Sequence, residues 1–182
     1  PLEADRLIDV ALNQLESVSE THFNGRNFTI RDLIPLDSPG LSLYTTATDA
    51  NEWTDTPGTD NTWDDNALWD GTPIADDTVM LLYGFSMPLP TPPGVPSATA
   101  LRITVGASLR AQLDLHEILT FEQGGTGAGE PVIGKKGFFV TPIIITSLQT
   151  LKIEEYTTTA TTAYQMHFHG FIAEIQGKTI EA

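Results

Sequence analysis

Cysteine is absent from the 182-residue chain. That excludes disulfides, thiolate metal sites and a cysteine nucleophile built from its own residues, and it removes cysteine usage as a guide to redox compartment. Lysine is scarce, confined to Lys135, Lys136, Lys152 and Lys178. Nine bases face 24 acids, for a net charge of −15. Such a surface repels phosphate backbones and anionic lipid, so direct nucleic-acid binding is not expected. Long apolar runs are missing too. The longest, Phe138 to Ile145, is broken by Thr141 and Pro142 and falls well short of the ~20 residues that span a bilayer. No basic stretch followed by an apolar run opens the chain, so no secretory signal is expected.

What is present fits a folded, water-facing domain. Hydrophobic residues make up 40% of the chain and its mean hydropathy is −0.08, a globular profile rather than a disordered one. Its length suits one domain with a core of its own. The acidity has two readings: an ordinary acidic protein, or one adapted to molar salt. In molar salt the Debye length shrinks to about 3 Å and carboxylate repulsion is screened. The shortage of lysine favours the salt-adapted reading.

Three sections follow along the chain. Residues 1–20 predict a helix, with Leu7, Ile8, Ala11, Leu12, Leu15 and Val18 at helical spacing and Glu3, Asp5, Asp9 and Glu16 mostly off that stripe. The stripe is expected either to pack on the side of a sheet or to dock on a neighbouring subunit, with Leu7, Leu12 and Leu15 as contacts. Residues 49–77 carry nine acids, no base, and all three tryptophans, Trp53, Trp63 and Trp69. Their glycines and prolines predict an acidic insertion that leaves the sheet as a long turn-rich excursion. The tryptophans would pin it down or meet a partner. The remainder of the 21–182 domain predicts about eight strands. The clearest is Leu109 to Leu115, where Ala111, Leu113 and Leu115 alternate with Arg110, Gln112 and Asp114. A proline-rich connector spans Pro88 to Pro96, and a glycine loop is expected from Gly124 to Gly137. One helix and irregularly spaced strands with long connections predict an all-β sandwich or jelly roll.

Motifs with chemical potential fall short of their requirements. Gly129 to Lys135 has the spacing of a phosphate loop, but Lys136 stands where Ser or Thr should ligate magnesium, and a strand-like Gly137-Phe-Phe-Val follows instead of a helix. The acids Asp60, Asp64, Asp65 and Asp70 offer oxygen ligands for calcium without the spacing of a calcium loop. His167 and His169 share one face of a strand and, with Glu174, resemble the first half of a cupin metal motif. The second half has no counterpart downstream, so they remain weak metal candidates. Glu154 and Glu155 point to opposite faces of a strand and cannot act as a catalytic pair. No Gly-x-Ser-x-Gly elbow occurs. No enzyme activity and no cofactor are expected.

Size, acidity, scarce lysine, the N-terminal helix and the strands Leu101-Arg-Ile-Thr-Val105, Leu109-Arg-Ala-Gln-Leu-Asp-Leu115 and Met166-His-Phe-His-Gly-Phe-Ile172 resemble the smaller major capsid protein of tailless icosahedral haloarchaeal viruses that enclose a membrane. The resemblance implies a single upright jelly roll without catalytic residues. It also implies contacts with other capsid subunits, including a larger capsid protein, and proximity to an internal membrane. The location would be the virion, after synthesis in the host cytoplasm. The alternatives are a decoration, tail or spike protein, or a carbohydrate- or receptor-binding β-module using the tryptophans.

Overall fold

A computed structural model describes residues 2–33, 53–55, 61–88, 98–115, 120–123, 132–157 and 164–176. Helix α1 runs from Leu2 to His22. Its stripe closes on the protein's own body: Ala11, Leu15 and Ser19 are fully buried, with Ile8, Leu12 and Val18 packed at the margin. The helix ends where Asn24 and Gly25 turn left-handed and the Gly25 amide reaches back to the Glu20 carbonyl at 3.2 Å. This is the geometry by which glycine stops helices.

Ten strands follow among the described residues: β1 (Phe28–Asp32), β2 (Trp53–Asp55), β3 (Thr62–Pro73), β4 (Thr78–Pro88), β5 (Ala98–Val105), β6 (Ser108–Asp114), β7 (Thr120–Gln123), β8 (Val132–Ile145), β9 (Thr150–Thr157) and β10 (Tyr164–Ile175). They form a six-stranded sheet, β1-β10-β4-β8-β7 with β2 also on β10, and a four-stranded sheet, β3-β9-β5-β6. Every pairing is antiparallel. With the short β2 and β7 set aside, the pairs are nested. The first long strand pairs with the last (β1 and β10), then β3 with β9, β4 with β8, and β5 with β6. A long hairpin wrapped on itself into two facing sheets is a jelly roll.

The main core lies between the sheets. Met80, Leu82, Phe85, Phe168 and Ile172 of the six-stranded sheet meet Leu101, Ile103, Val105, Leu151 and Ile153 of the other. A second cluster lies outside, where α1 covers Val79, Leu81, Phe171 and Ala173. Strand β4 is therefore buried on both faces, which explains its continuous apolar run. The order through the molecule is helix, six-stranded sheet, four-stranded sheet.

Two expectations need correction. Within the acidic segment, residues 62–73 are not an excursion from the sheet: they form β3, at the edge of its sheet among the described residues and hydrogen-bonded to β9 with two register breaks, while 49–52 and 56–60 lie outside the described residues. Pairing with a well-formed neighbour overrides the poor strand propensity of its Asp, Asn and Gly residues. Likewise, the glycine-rich stretch is strand from Val132 onward. Gly134, Lys135 and Lys136 pair with Pro88, Met87 and Ser86 of β4, so the would-be phosphate loop is ladder from Val132 on, and its first three residues lie outside the described residues. The predicted strand at 41–46 and most of the proline-rich connector lie outside the described residues.

Antiparallel alternation gives the sandwich two unlike ends. Tight turns at Ile74–Asp77, Gly106–Ala107 and Thr146–Gln149 close one end together with the turn after α1. The longer connections between β1 and β3, β4 and β5, β6 and β8, and β9 and β10 leave from the other.

Candidate functional site

The helix residues divide. Leu15 is fully buried against the sheet and Leu12 packs at its margin, so neither is offered to a neighbour. Their spacing served the protein's own second core. Leu7 is half-buried and lines a depression with Arg6, Asp9, Val10 and Asn13.

Trp63 stands on the outer face of the four-stranded sheet. The Arg102 guanidinium lies 4.5 Å from the ring centre, and Tyr156 meets the ring edge-on at 5.6 Å. Arg102 donates from Nε and one terminal nitrogen to the two oxygens of Glu154, both at 2.6 Å. Lys152 stands 3.3 Å from the same carboxylate. This hydrogen bonding to Arg102 holds the Glu154 carboxyl below the usual range, against the opposing effect of its burial. Trp63 is thus occupied by its own sheet rather than laid open as a platform. Trp53 pairs through its backbone with Met166 of β10, and Trp69 lies within β3, so the three tryptophans are spread over two sheets. Glu155 points inward on β9, in step with Leu151 and Ile153, and is fully buried. The two neighbouring glutamates do face opposite ways.

His169 lies on the outer face of the six-stranded sheet beyond the helix. Its Nε2 is 3.0 Å from the Ser86 hydroxyl, and its ring stacks with Tyr83 at 6.1 Å. Phe168 next to it enters the main core. A metal held between the sheets would need ligands on the inner face, and His169 is on the other one. Burial, with the Asp32 carboxylate adding to it, raises the Tyr83 hydroxyl above its ordinary pKa. His167 pairs with Ser86 in the ladder. Among the described residues no three His, Asp or Glu side chains gather as a metal set, and no helix is long and apolar enough to cross a membrane.

What the described surface offers instead is edges and isolated apolar side chains. Val10, Leu109, Phe138, Val140 and Leu148 are exposed. Val140 sits where β8 passes four residues, 139 to 142, opposite the single Tyr83 of β4. Among the described residues strand β6 has a neighbour on one side only, β5, and five of its seven residues are exposed. The Arg102 cluster and the β6 edge were not singled out from sequence. Both depend on which strands pair, and alternation alone does not reveal that.

No family model matches the chain, and no curated protein is similar to it in sequence. Among solved structures, the fold is similar to the infectious bursal disease virus VP2 subviral particle, with 12% identity and a TM-score of 0.31. The match covers 85% of this chain and 34% of the other, so the chain spans about a third of that protein's length. The jelly roll is defined by the strand pairing above and not by this likeness.

Proposed function

We propose that the chain is a structural subunit of a virus shell, a jelly roll that builds an icosahedral capsid by repeated contacts and works in strongly saline surroundings. The observation that carries this reading is the nested jelly roll of the described residues, whose facing sheets enclose the main core. Its conspicuous polar side chains, Arg102, Glu154, Arg31 and Glu174, are locked in pairs within the sheets. A fold does not dictate function, and jelly rolls also serve lectins and cupins. Here the residues those roles would draw on have structural partners: Trp63 lies beneath Arg102, and His169 is bound to Ser86 and Tyr83. The acidic surface suits solubility in molar salt. A larger capsid protein and an internal membrane are the partners this reading supplies.

The test is to band particles from the source culture on a density gradient in high salt and quantify the chain in the particle fraction by mass spectrometry. Many copies per particle, travelling with DNA and lipid, would support a shell protein. A few copies would indicate a spike or decoration protein, and absence would overturn the reading.

A further inference from the structure

Exposed strand edges invite pairing, and natural sheets defend them with charge, proline, bulges or shortness. The edges of this molecule are not defended equally. Strand β3 has three acids in its sequence, Asp64, Asp65 and Asp70, with two register breaks and a terminal Pro73. Strand β7 has only four residues. In β1 a two-fold pairing about Ile30 would set Phe28 against Asp32 and Thr29 against Arg31, with no complementarity.

Strand β6 differs. Its seven residues, Ser108 to Asp114, contain no lysine and no proline, and one base balances one acid in a chain of charge −15. Arg110, Gln112 and Asp114 are exposed and share one face by alternation. Ala111 and Leu113 lie on the opposite face, half-buried at the margin of the main core. We infer that β6 is a self-complementary edge that pairs antiparallel with β6 of a second copy about a two-fold axis through Gln112. That register sets Arg110 of each copy opposite Asp114 of the other, with Gln112 facing Gln112 on the axis. On the inner face Ala111 meets Leu113, so the apolar margin of each core continues into its neighbour. Both four-stranded sheets become one sheet of eight. Asp114 has a local interaction of its own, and it can take Arg110 of the other copy as well because a carboxylate accepts several donors. A two-fold interface of this kind uses the same patch on both partners.

Only residues 110 to 114 of each strand face the other copy's β6 in this register, a pairing smaller than a stable standard interface, so the isolated dimer is weak. This inference does not rest on the shell reading. The dimer would form in a protein absent from particles, and a shell can be built without it.

The absence of native cysteine makes the test direct. Directly opposed residues of an antiparallel pair have Cα atoms about 4.5–5.5 Å apart, within disulfide reach. Gln112→Cys should therefore oxidise to a covalent dimer. Ser108→Cys should stay monomeric, since in this register the two Ser108 positions lie about 26 Å apart. In sedimentation at about 0.15 M salt, where an exposed pair is not fully screened, Arg110→Asp and Asp114→Arg should each weaken association about tenfold. The double variant, which restores the pair with signs reversed, should recover it. Equal cross-linking at 112 and 108, no association up to millimolar concentration, or a double variant as weak as the singles would overturn the inference. Thermal unfolding of each variant separates lost pairing from lost folding.

Discussion

Arg102 joins two other side chains at once. It holds both oxygens of Glu154 at 2.6 Å and covers Trp63 at 4.5 Å, on a sheet face that would otherwise be open to water. Because Glu154 is nearly buried, at 7% side-chain exposure, this pair is less screened by salt than a surface ion pair. Arg102→Ala should cost about 1–3 kcal/mol, since hydrogen bonds to a charged group are lost and the carboxylate is left behind. Urea unfolding reads the loss directly. The pH dependence has a definite sign. The folded carboxyl titrates below its unfolded value, so its stabilisation is present above the ordinary Glu range, about pH 4 and higher, and is lost as pH falls through the depressed value. Glu154→Gln should therefore be less stable than the parent at neutral pH. Its stability should also fall less steeply on acidification. Parallel acid limbs for the two proteins would remove Glu154 from that role.

At the scale of elements, the close approach of β10 to β4 depends on Gly170. A Cβ there would run into the Leu81 backbone carbonyl, next to the register shift between His169 and Gly170. Backbone cannot swing aside as a flexible side chain can, so Gly170→Ala should cost several kcal/mol, roughly 2–4 °C of Tm per kcal/mol in a chain this long. Calorimetry checks it. The helix gives a second contrast. Leu15→Ala empties a fully buried site and should cost about 2–5 kcal/mol, whereas Leu7→Ala, half-buried, should cost clearly less. Equal costs would mean that α1 is not seated as described. The elements themselves were largely legible in sequence: α1 from its 3.6-residue stripe, β6 from strict alternation, and β4, β5, β9 and β10 from runs of branched and aromatic residues. Strand β3 was not, because its acids, glycine and proline have turn chemistry and only an edge position beside β9 makes them strand. For the same reason the tryptophans read as one cluster when they belong to different sheets.

For the whole molecule, strand pairing is what the chain conceals. The closing pair joins Phe28–Asp32 to Phe171–Ile175, across nearly the full sequence, and no local pattern reports it. Net charge, by contrast, is legible without any structure and makes a prediction for the entire fold. Two like charges 10 Å apart repel by about 0.4 kcal/mol in water, and at 1 M salt, with a Debye length near 3 Å, almost nothing remains. With a charge of −15, the folded state carries many such pairs, which the expanded chain relaxes. Raising sodium chloride from about 0.1 M to about 2 M should therefore raise Tm by several degrees. Salt also strengthens apolar burial in any protein, so the charge effect needs its own control. Asp9, Glu16 and Glu20 lie exposed on α1, and Glu16 and Glu20 stand toward the negative end of the helix dipole, where acids are unfavourable. Asp9→Asn, Glu16→Gln and Glu20→Gln combined should be more stable than the parent at low salt and should gain less from added salt. If the parent and the neutralised variant rise in parallel, salt is acting on the core rather than on the carboxylates, and the acidic surface is no adaptation to saline surroundings.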